Sequence, residues 1–179
     1  MKEIIMITGG SRSGKSQYAL KLAQRKTRRA FIATAEPIDE EMKERIADHQ
    51  QKRGDKFLTI EEPFDLGRAL CSLPDNIEVA VIDCLTVWLG NLMHKYREHY
   101  SLVQEKLKSF LDILSDLPCD LIIVTNEVGM GIIPFDPFTR KFRDLAGRLN
   151  QEVAGQAHQV IFMVSGIPLT IKGNSVWKS

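Results

Sequence analysis

Gly9-Gly10-Ser11-Arg12-Ser13-Gly14-Lys15-Ser16 fits the pattern G-x-x-x-x-G-K-[ST] at every fixed position. Each fixed residue type has a task in holding a polyphosphate. Glycines let the backbone turn sharply and bring its N–H groups up to phosphate oxygens. A helix starting at Lys15 presents unpaired N-terminal donors to the same anion. The Lys15 ammonium suits the β- and γ-phosphates and the Ser16 hydroxyl suits Mg²⁺. With glycine at about 7% of average composition, a chance match in one chain is well under about one in a hundred. Nucleotide binding is therefore expected along the whole run from Gly9 to Ser16, with Lys15 also catalytic.

A carboxylate for the same cation follows downstream. Val79-Ala80-Val81-Ile82-Asp83 is an apolar strand ending in Asp83, the place where P-loop proteins hold Mg²⁺ or its water shell. The plain alternative is a buried strand ending in a turn aspartate; the upstream P-loop favours the metal. Ser16 and Asp83 are thus the expected metal pair.

Chemistry of another kind is available at His49. A neutral imidazole is a good nucleophile near neutral pH, since its ordinary pKa is about 6.5. Arg53 lies one helical turn away and could brace a phosphate bidentately. Asp48 adjoins His49 but points elsewhere on a helix. Taken alone, His49 reads more simply as a solvated helix residue.

Strands and helices alternate around these residues. Apolar runs predict strands at 3–8, 30–34, 57–60, 79–82, 121–125, 160–164 and 168–172. Amphipathic stretches predict helices at 15–26, 38–52, 64–71, 86–96, 98–117 and 138–158. Residues 126–139, rich in Gly and Pro, read as a functional loop. Uninterrupted strands between helices imply an α/β fold with a mainly parallel sheet flanked by helices. With the P-loop, the expected class is a RecA-like P-loop NTPase, one domain over 1–179. Thr34-Ala35-Glu36 follow the second strand, at the edge where ligands meet such sheets. Asn126 and Glu127 also end a strand, beside the Gly-rich loop, where they could touch the substrate or the hydroxyl being phosphorylated, and Arg140 and Arg143 could meet phosphate.

Composition excludes several classes. Hydrophobic residues make up 44% of the 179 and charged residues 26%, ordinary for a globular chain. The net charge of +1 gives no electrostatic case for nucleic acid or an anionic membrane. The basic run Arg25-Lys26-Thr27-Arg28-Arg29 is expected to cap the end of the first helix, solvated. No apolar stretch approaches the roughly 20 residues that span a bilayer, so no membrane insertion is expected. Cys71, Cys84 and Cys119 are too widely spaced for a zinc site or disulfide framework, which points to a reducing cytoplasm.

The blocks between these landmarks carry more. Arg45 to Arg53 precede Thr59, Glu61 and Pro63. Asp83-Cys84-Leu85-Thr86-Val87-Trp88 is followed by Asn91-Leu92. Then come Val124-Thr125-Asn126-Glu127-Val128-Gly129-Met130-Gly131, Phe142-Arg143-Asp144, Gly147, Asn150-Gln151 and Val164-Ser165-Gly166-Ile167-Pro168. In this order, from about Ile4 to Lys172, they resemble the bifunctional adenosylcobinamide kinase/adenosylcobinamide-phosphate guanylyltransferase family of cobalamin biosynthesis. The resemblance implies phosphorylation of adenosylcobinamide by GTP or ATP, with Mg²⁺. It implies transfer of GMP from GTP to that phosphate through a GMP–histidine intermediate at His49. It also implies GTP contacts at Thr34, Ala35, Glu36, Gln50, Gln51, Lys52, Arg53, Glu61 and Asp83, and a homo-oligomer, a trimer. This chain departs from the pattern at Gly54 and Phe57, where the family often has Pro and Trp, and at Asp48, often a second His. Two rival readings remain: a P-loop kinase of another small molecule with His49 inert, and a non-catalytic nucleotide-binding or DNA-linked ATPase module. The first leaves the blocks around His49 unexplained; the second lacks a basic surface.

Overall fold

The alternation of side chains along each strand sorts the core into two layers. In β1 (Ile4–Gly9), Ile4 and Met6 enter one hydrophobic cluster and Ile7 the other. The same split runs through β2 (Arg29–Ala33), β4 (Val79–Asp83) and β5 (Asp120–Val124). Ala30, Ile32, Ala80, Ile82, Leu121 and Ile123 face one side; Phe31, Val79, Val81, Ile122 and Val124 face the other. Strands buried on both faces belong in a parallel sheet covered by helices. The structure, a computed structural model, describes residues 2–174; the side chains of Arg45, His49, Lys52, Arg53 and Asp55 lie outside the described part.

With β3 (Leu58–Glu61), β6 (Gln159–Val164) and β7 (Ile167–Lys172), the sheet has seven strands in the order β3-β2-β4-β5-β1-β6-β7. Neighbours from β3 to β6 run parallel, and β7 returns antiparallel to β6. The mainly parallel sheet expected from the sequence is the one observed. Helices α3 (Leu66–Cys71), α4 (Leu85–Lys95), α5 (Tyr100–Ile113) and α6 (Pro137–Gln156) pack on the face of Ile4. Helix α1 (Lys15–Ala23) covers the face of Ile7 with Tyr18, Ala19, Leu22 and Ala23. On the Ile4 face, fully buried Trp88 of α4 stacks edge-on against Phe110 at 5.2 Å and donates its indole N–H to Phe64 O at 3.1 Å. Helix α2 (Glu40–Arg53) is different: none of its described side chains is buried.

Helix ends differ from the periodicity in places, for local reasons. Helix α1 stops at Ala23 because Arg25 N and Lys26 N bond three residues back, to Leu22 O at 3.2 Å and Ala23 O at 3.1 Å, tightening the last turn. The basic run therefore lies in the α1–β2 connection up to Arg29, which opens β2, and Lys26 pairs with Asp120 of β5 at 2.9 Å. Helix α5 ends early in the same way, with the Ser115 hydroxyl donating to Asp112 O at 2.7 Å. The expected loop 126–139 holds a single 3₁₀ turn at Val128–Met130 and closes where Asp136 caps α6, accepting from Thr139 N at 2.8 Å. Pro137 follows at the first helical position, where its missing N–H costs nothing.

Candidate active site

Because β1 to β6 are parallel, their carboxyl ends share one edge, and the residues singled out by chemistry collect there. Register sets their order. Glu61 ends β3 opposite Ala33, Asp83 ends β4 opposite Ala33 and Val124, and Gly9 ends β1 opposite Met163. With strands about 4.8 Å apart, the four steps from β3 to β1 span roughly 19 Å. The P-loop rises at one end of this row, Asp83 lies near its middle, and Glu61 closes the other end.

The P-loop conformation needs its glycines at two positions. Gly9 has φ 144°, and a Cβ there would meet Met163 O at 2.4 Å. Gly14 has φ 94° and acts as the left-handed N-cap of α1, with no side-chain cap. Asp39, Asp65 and Asp136 cap α2, α3 and α6 with carboxylates. Helices α1, α4 and α5 lack such a side chain; at α1 the first N–H groups follow the glycine loop directly, which suits a bound anion. Lys15 is buried, and its ammonium donates to Gly10 O and to Ser13 Oγ at 3.4 Å. The turn between β6 and β7 closes over the loop, with Gly166 N donating to Ser13 O at 3.1 Å.

Asp83 and Ser16, the pair expected to meet a cation, have the chemistry a hard cation takes. Asp83 Oδ2 is buried without a hydrogen-bond partner among the described residues. A buried carboxylate oxygen left so is costly, and a hard cation would satisfy it. Ser16, at the second position of α1, offers a half-buried hydroxyl. Mg²⁺ is commonly held by one or two protein oxygens plus substrate phosphates, and Asp83 and Ser16 are oxygen donors of that kind. Cys84, next in the chain, is no rival nucleophile. Burial first, and then the Asp83 carboxylate, push its thiol up to about 12, so it stays protonated at neutral pH.

The other expected contacts divide into two groups. Thr34 is fully buried and its hydroxyl is committed: it donates to Cys84 O at 2.9 Å and accepts from Cys84 N at 2.8 Å. Asn91 Nδ2 also donates to Thr34 O at 2.7 Å. Thr34 thus ties β2 to the residue after Asp83, leaving Ala35 and Glu36, both half-buried, nearer the open edge. Gln50, on α2, donates to Glu61 Oε1 at 3.3 Å, which brings two expected contacts together and docks α2 at the β3 end. Gln51 is exposed, and the side chains of His49, Lys52 and Arg53 lie outside the described residues. Arg140 holds its own loop, donating to Pro134 O at 3.1 Å and to Phe135 O. Arg143 lies 3.7 Å from Asp144.

A polar network next to the P-loop was not foreseen as a unit. Asn150, on the buried stripe of α6, accepts from Thr125 Oγ1 at 2.8 Å. It donates to Asn126 O at 3.1 Å and Glu127 Oε1 at 2.9 Å. Thr86 Oγ1 lies 3.2 Å from Thr125 Oγ1 and accepts from Asn126 N at 2.8 Å. Thr8 Oγ1 donates to Glu127 Oε1 at 3.0 Å, and Glu127 N to Gly9 O at 3.2 Å. The sequence marks Asn126 and Glu127 at their strand end, and Asn150 as a polar residue among Leu145, Ala146, Leu149 and Val153 at helical spacing, but not the contacts that join them.

Residues 5–171 match the family model described as cobinamide kinase / cobinamide phosphate guanyltransferase. The chain is 37% identical to the bifunctional adenosylcobalamin biosynthesis protein CobP of Pseudomonas aeruginosa, over 94% of this chain and 96% of that protein. It is 34% identical to the bifunctional adenosylcobalamin biosynthesis protein CobU of Escherichia coli, over 94% and 99%. Among solved structures, the RadB recombinase superposes with a TM-score of 0.51 at 15% identity, over 89% of this chain and 73% of that one. That likeness supports the RecA-like fold.

Proposed function

We infer the reaction from a premise and a geometry: the chain belongs to the cobinamide kinase / cobinamide phosphate guanyltransferase family, and its sheet edge carries both a phosphate cradle and a carboxylate, Asp83, with one oxygen buried and without a partner among the described residues. The protein phosphorylates the hydroxyl of adenosylcobinamide with GTP or ATP. It then transfers GMP from GTP to the new phosphate, giving adenosylcobinamide-GDP and pyrophosphate. What carries this reading is Lys15 and Ser16 at the start of α1, which has no side-chain cap, with Asp83 Oδ2 on the same sheet edge buried and without a partner among the described residues.

In this reading the P-loop backbone from Gly9 to Ser16 cradles the polyphosphate and Lys15 offsets charge on the departing group. Ser16 and Asp83 would hold Mg²⁺, which supplies charge neutralisation across the phosphates when bound. Ala35, Glu36, Gln50, Gln51, Glu61, Lys52, Arg53 and the Thr34 backbone line the ribose and base end of GTP. For the transfer step, an imidazole nitrogen of His49 attacks the α-phosphorus. The bond to the bridging oxygen breaks, and that oxygen leaves with its electron pair as pyrophosphate. A phosphate oxygen of the acceptor then displaces His49, so one difficult step becomes two. Because α2 buries none of its described side chains, moving the helix that carries His49 toward the phosphates would forfeit little apolar contact.

The assembly is a homo-oligomer, a trimer, acting in the cytoplasm. Free thiols at Cys71, Cys84 and Cys119 suit a reducing compartment. Among the described residues no helix is long and apolar enough to cross a membrane.

Incubation with GTP labelled at the α- or the γ-phosphate tests the covalent step. Acid-labile, alkali-stable protein label is expected from the α position only, and none in His49→Ala. Absence of label from the α position in the unsubstituted protein would remove the transferase half of the reading.

A further inference from the structure

We propose that Glu127 is the catalytic base of the kinase step, taking the proton of the acceptor hydroxyl, and that Asn150 and Thr8 are the positioning residues that aim it. The proposal rests on the kinase reading above and assigns a role that the P-loop and Asp83 leave open.

Hydrogen-bond direction fixes the network completely. Asn126 O and the Glu127 carboxylate can only accept, so the Asn150 amide must point its nitrogen at both and its oxygen at Thr125. The Thr125 proton is thereby used, so Thr86 is the donor in the 3.2 Å contact between the two hydroxyls. Thr8 donates its own proton to the carboxylate. Thr8, Thr86, Thr125 and Asn150 are all buried, and every one of these groups is satisfied. Two donors converge on Glu127 Oε1; Oε2 has no partner among the described residues. A carboxylate locked through one oxygen, with the other left over, is a preorganised proton acceptor.

Its position suits phosphoryl transfer. Glu127 N bonds Gly9 O, which puts the carboxylate at the mouth of the P-loop. Its direct supports are Thr8 of β1 and Asn150 of α6, with Thr86 of α4 behind them, and α4 and α6 pack on the face opposite α1. Lys15 approaches from the α1 side. A γ-phosphate cradled by the loop therefore has the group that offsets leaving-group charge on one side and an open carboxylate on the other, as in-line displacement requires. In the step itself, the acceptor oxygen bonds to the γ-phosphorus and its proton passes to Glu127 Oε2. The bond from the γ-phosphorus to the bridging oxygen breaks, and the nucleoside diphosphate departs with that electron pair. Glu127 then returns the proton to solvent.

Glu127→Gln is the deciding variant, because Gln Oε1 can still accept from Thr8 and Asn150 while losing the proton-accepting oxygen. Kinase kcat should fall about 10²–10⁴-fold. KM for the nucleoside triphosphate and labelling of the protein by α-labelled GTP should stay unchanged. Asn150→Ala should lower kinase kcat with KM for nucleotide unchanged, and Asn150→Asp should not restore it, since a second carboxylate would repel Glu127. Undiminished kinase turnover in Glu127→Gln would overturn the proposal, as would parallel loss of kinase turnover and α-labelling. If the unsubstituted protein showed no kinase turnover at all, the underlying reading would fail instead.

Discussion

One methyl group at the start of the phosphate loop should separate local necessity from mere family pattern. In Gly9→Ala the new Cβ would lie 2.4 Å from Met163 O, on a backbone with φ 144°. The loop must shift or β1 must part from β6, at a cost of about 1–3 kcal/mol. Gly10→Ala is the control, since nothing lies within 4 Å of a Cβ there. Thermal unfolding without nucleotide should show a lowered midpoint for Gly9→Ala only; equal midpoints for the two variants would contradict the geometry. The P-loop was legible in the sequence because its working atoms are contiguous. The Glu127 support was not, because Thr8 and Glu127 stand 119 positions apart and meet only once β1 and β5 pair. His49 was singled out through the resemblance, as its own neighbourhood is polar and unremarkable.

At the scale of elements, the short helix α3 depends on carboxylates more than on burial. Asp65 caps it, accepting from Arg68 N at 3.0 Å, and pairs with Lys106 of α5 at 2.6 Å. The Lys106 ammonium, outweighing burial, holds Asp65 below the usual carboxylate range. Burial alone would raise Glu62, but the Arg68 guanidinium and the N–H groups of Asp65 and Phe64 more than offset it and lower its pKa. Depressed carboxylates stabilise the fold above their unfolded pKa values, and that contribution is lost as pH falls through the folded ones. Stability should therefore drop as pH falls below about 4. The drop should be smaller in Asp65→Asn, which keeps a cap but loses the charge; urea unfolding at pH 7 and pH 3.5 measures both. An identical acid drop in the variant would place the sensitivity elsewhere. Helix and strand identity was readable from periodicity throughout, while helix ends were not. The bonds that shortened α1 and α5 link residues three apart, a choice that apolar spacing does not encode.

For the whole molecule, the sheet is unequal at its two edges. β3 is short and charged, ending in Glu61 with α2 docked beside it through Gln50. β7 instead presents Ile167, Leu169 and Ile171 on one face, exposed by 68%, 56% and 60%. Such alternation along an edge strand normally faces a core, and here the described chain supplies none. A net charge of +1 offers little repulsion between copies. These features support assembly through the β6–β7 hairpin, which also closes over the P-loop through Gly166. Assembly would then stabilise the phosphate site as well as cover the stripe, and the unfolding midpoint should rise with protein concentration. Leu169→Glu places a charge at the centre of the stripe, so sedimentation should shift toward the monomer and the concentration dependence should vanish. Nucleotide affinity should weaken with it. An unchanged sedimentation profile would move the subunit contact away from β7, leaving the stripe as a surface for some other apolar partner.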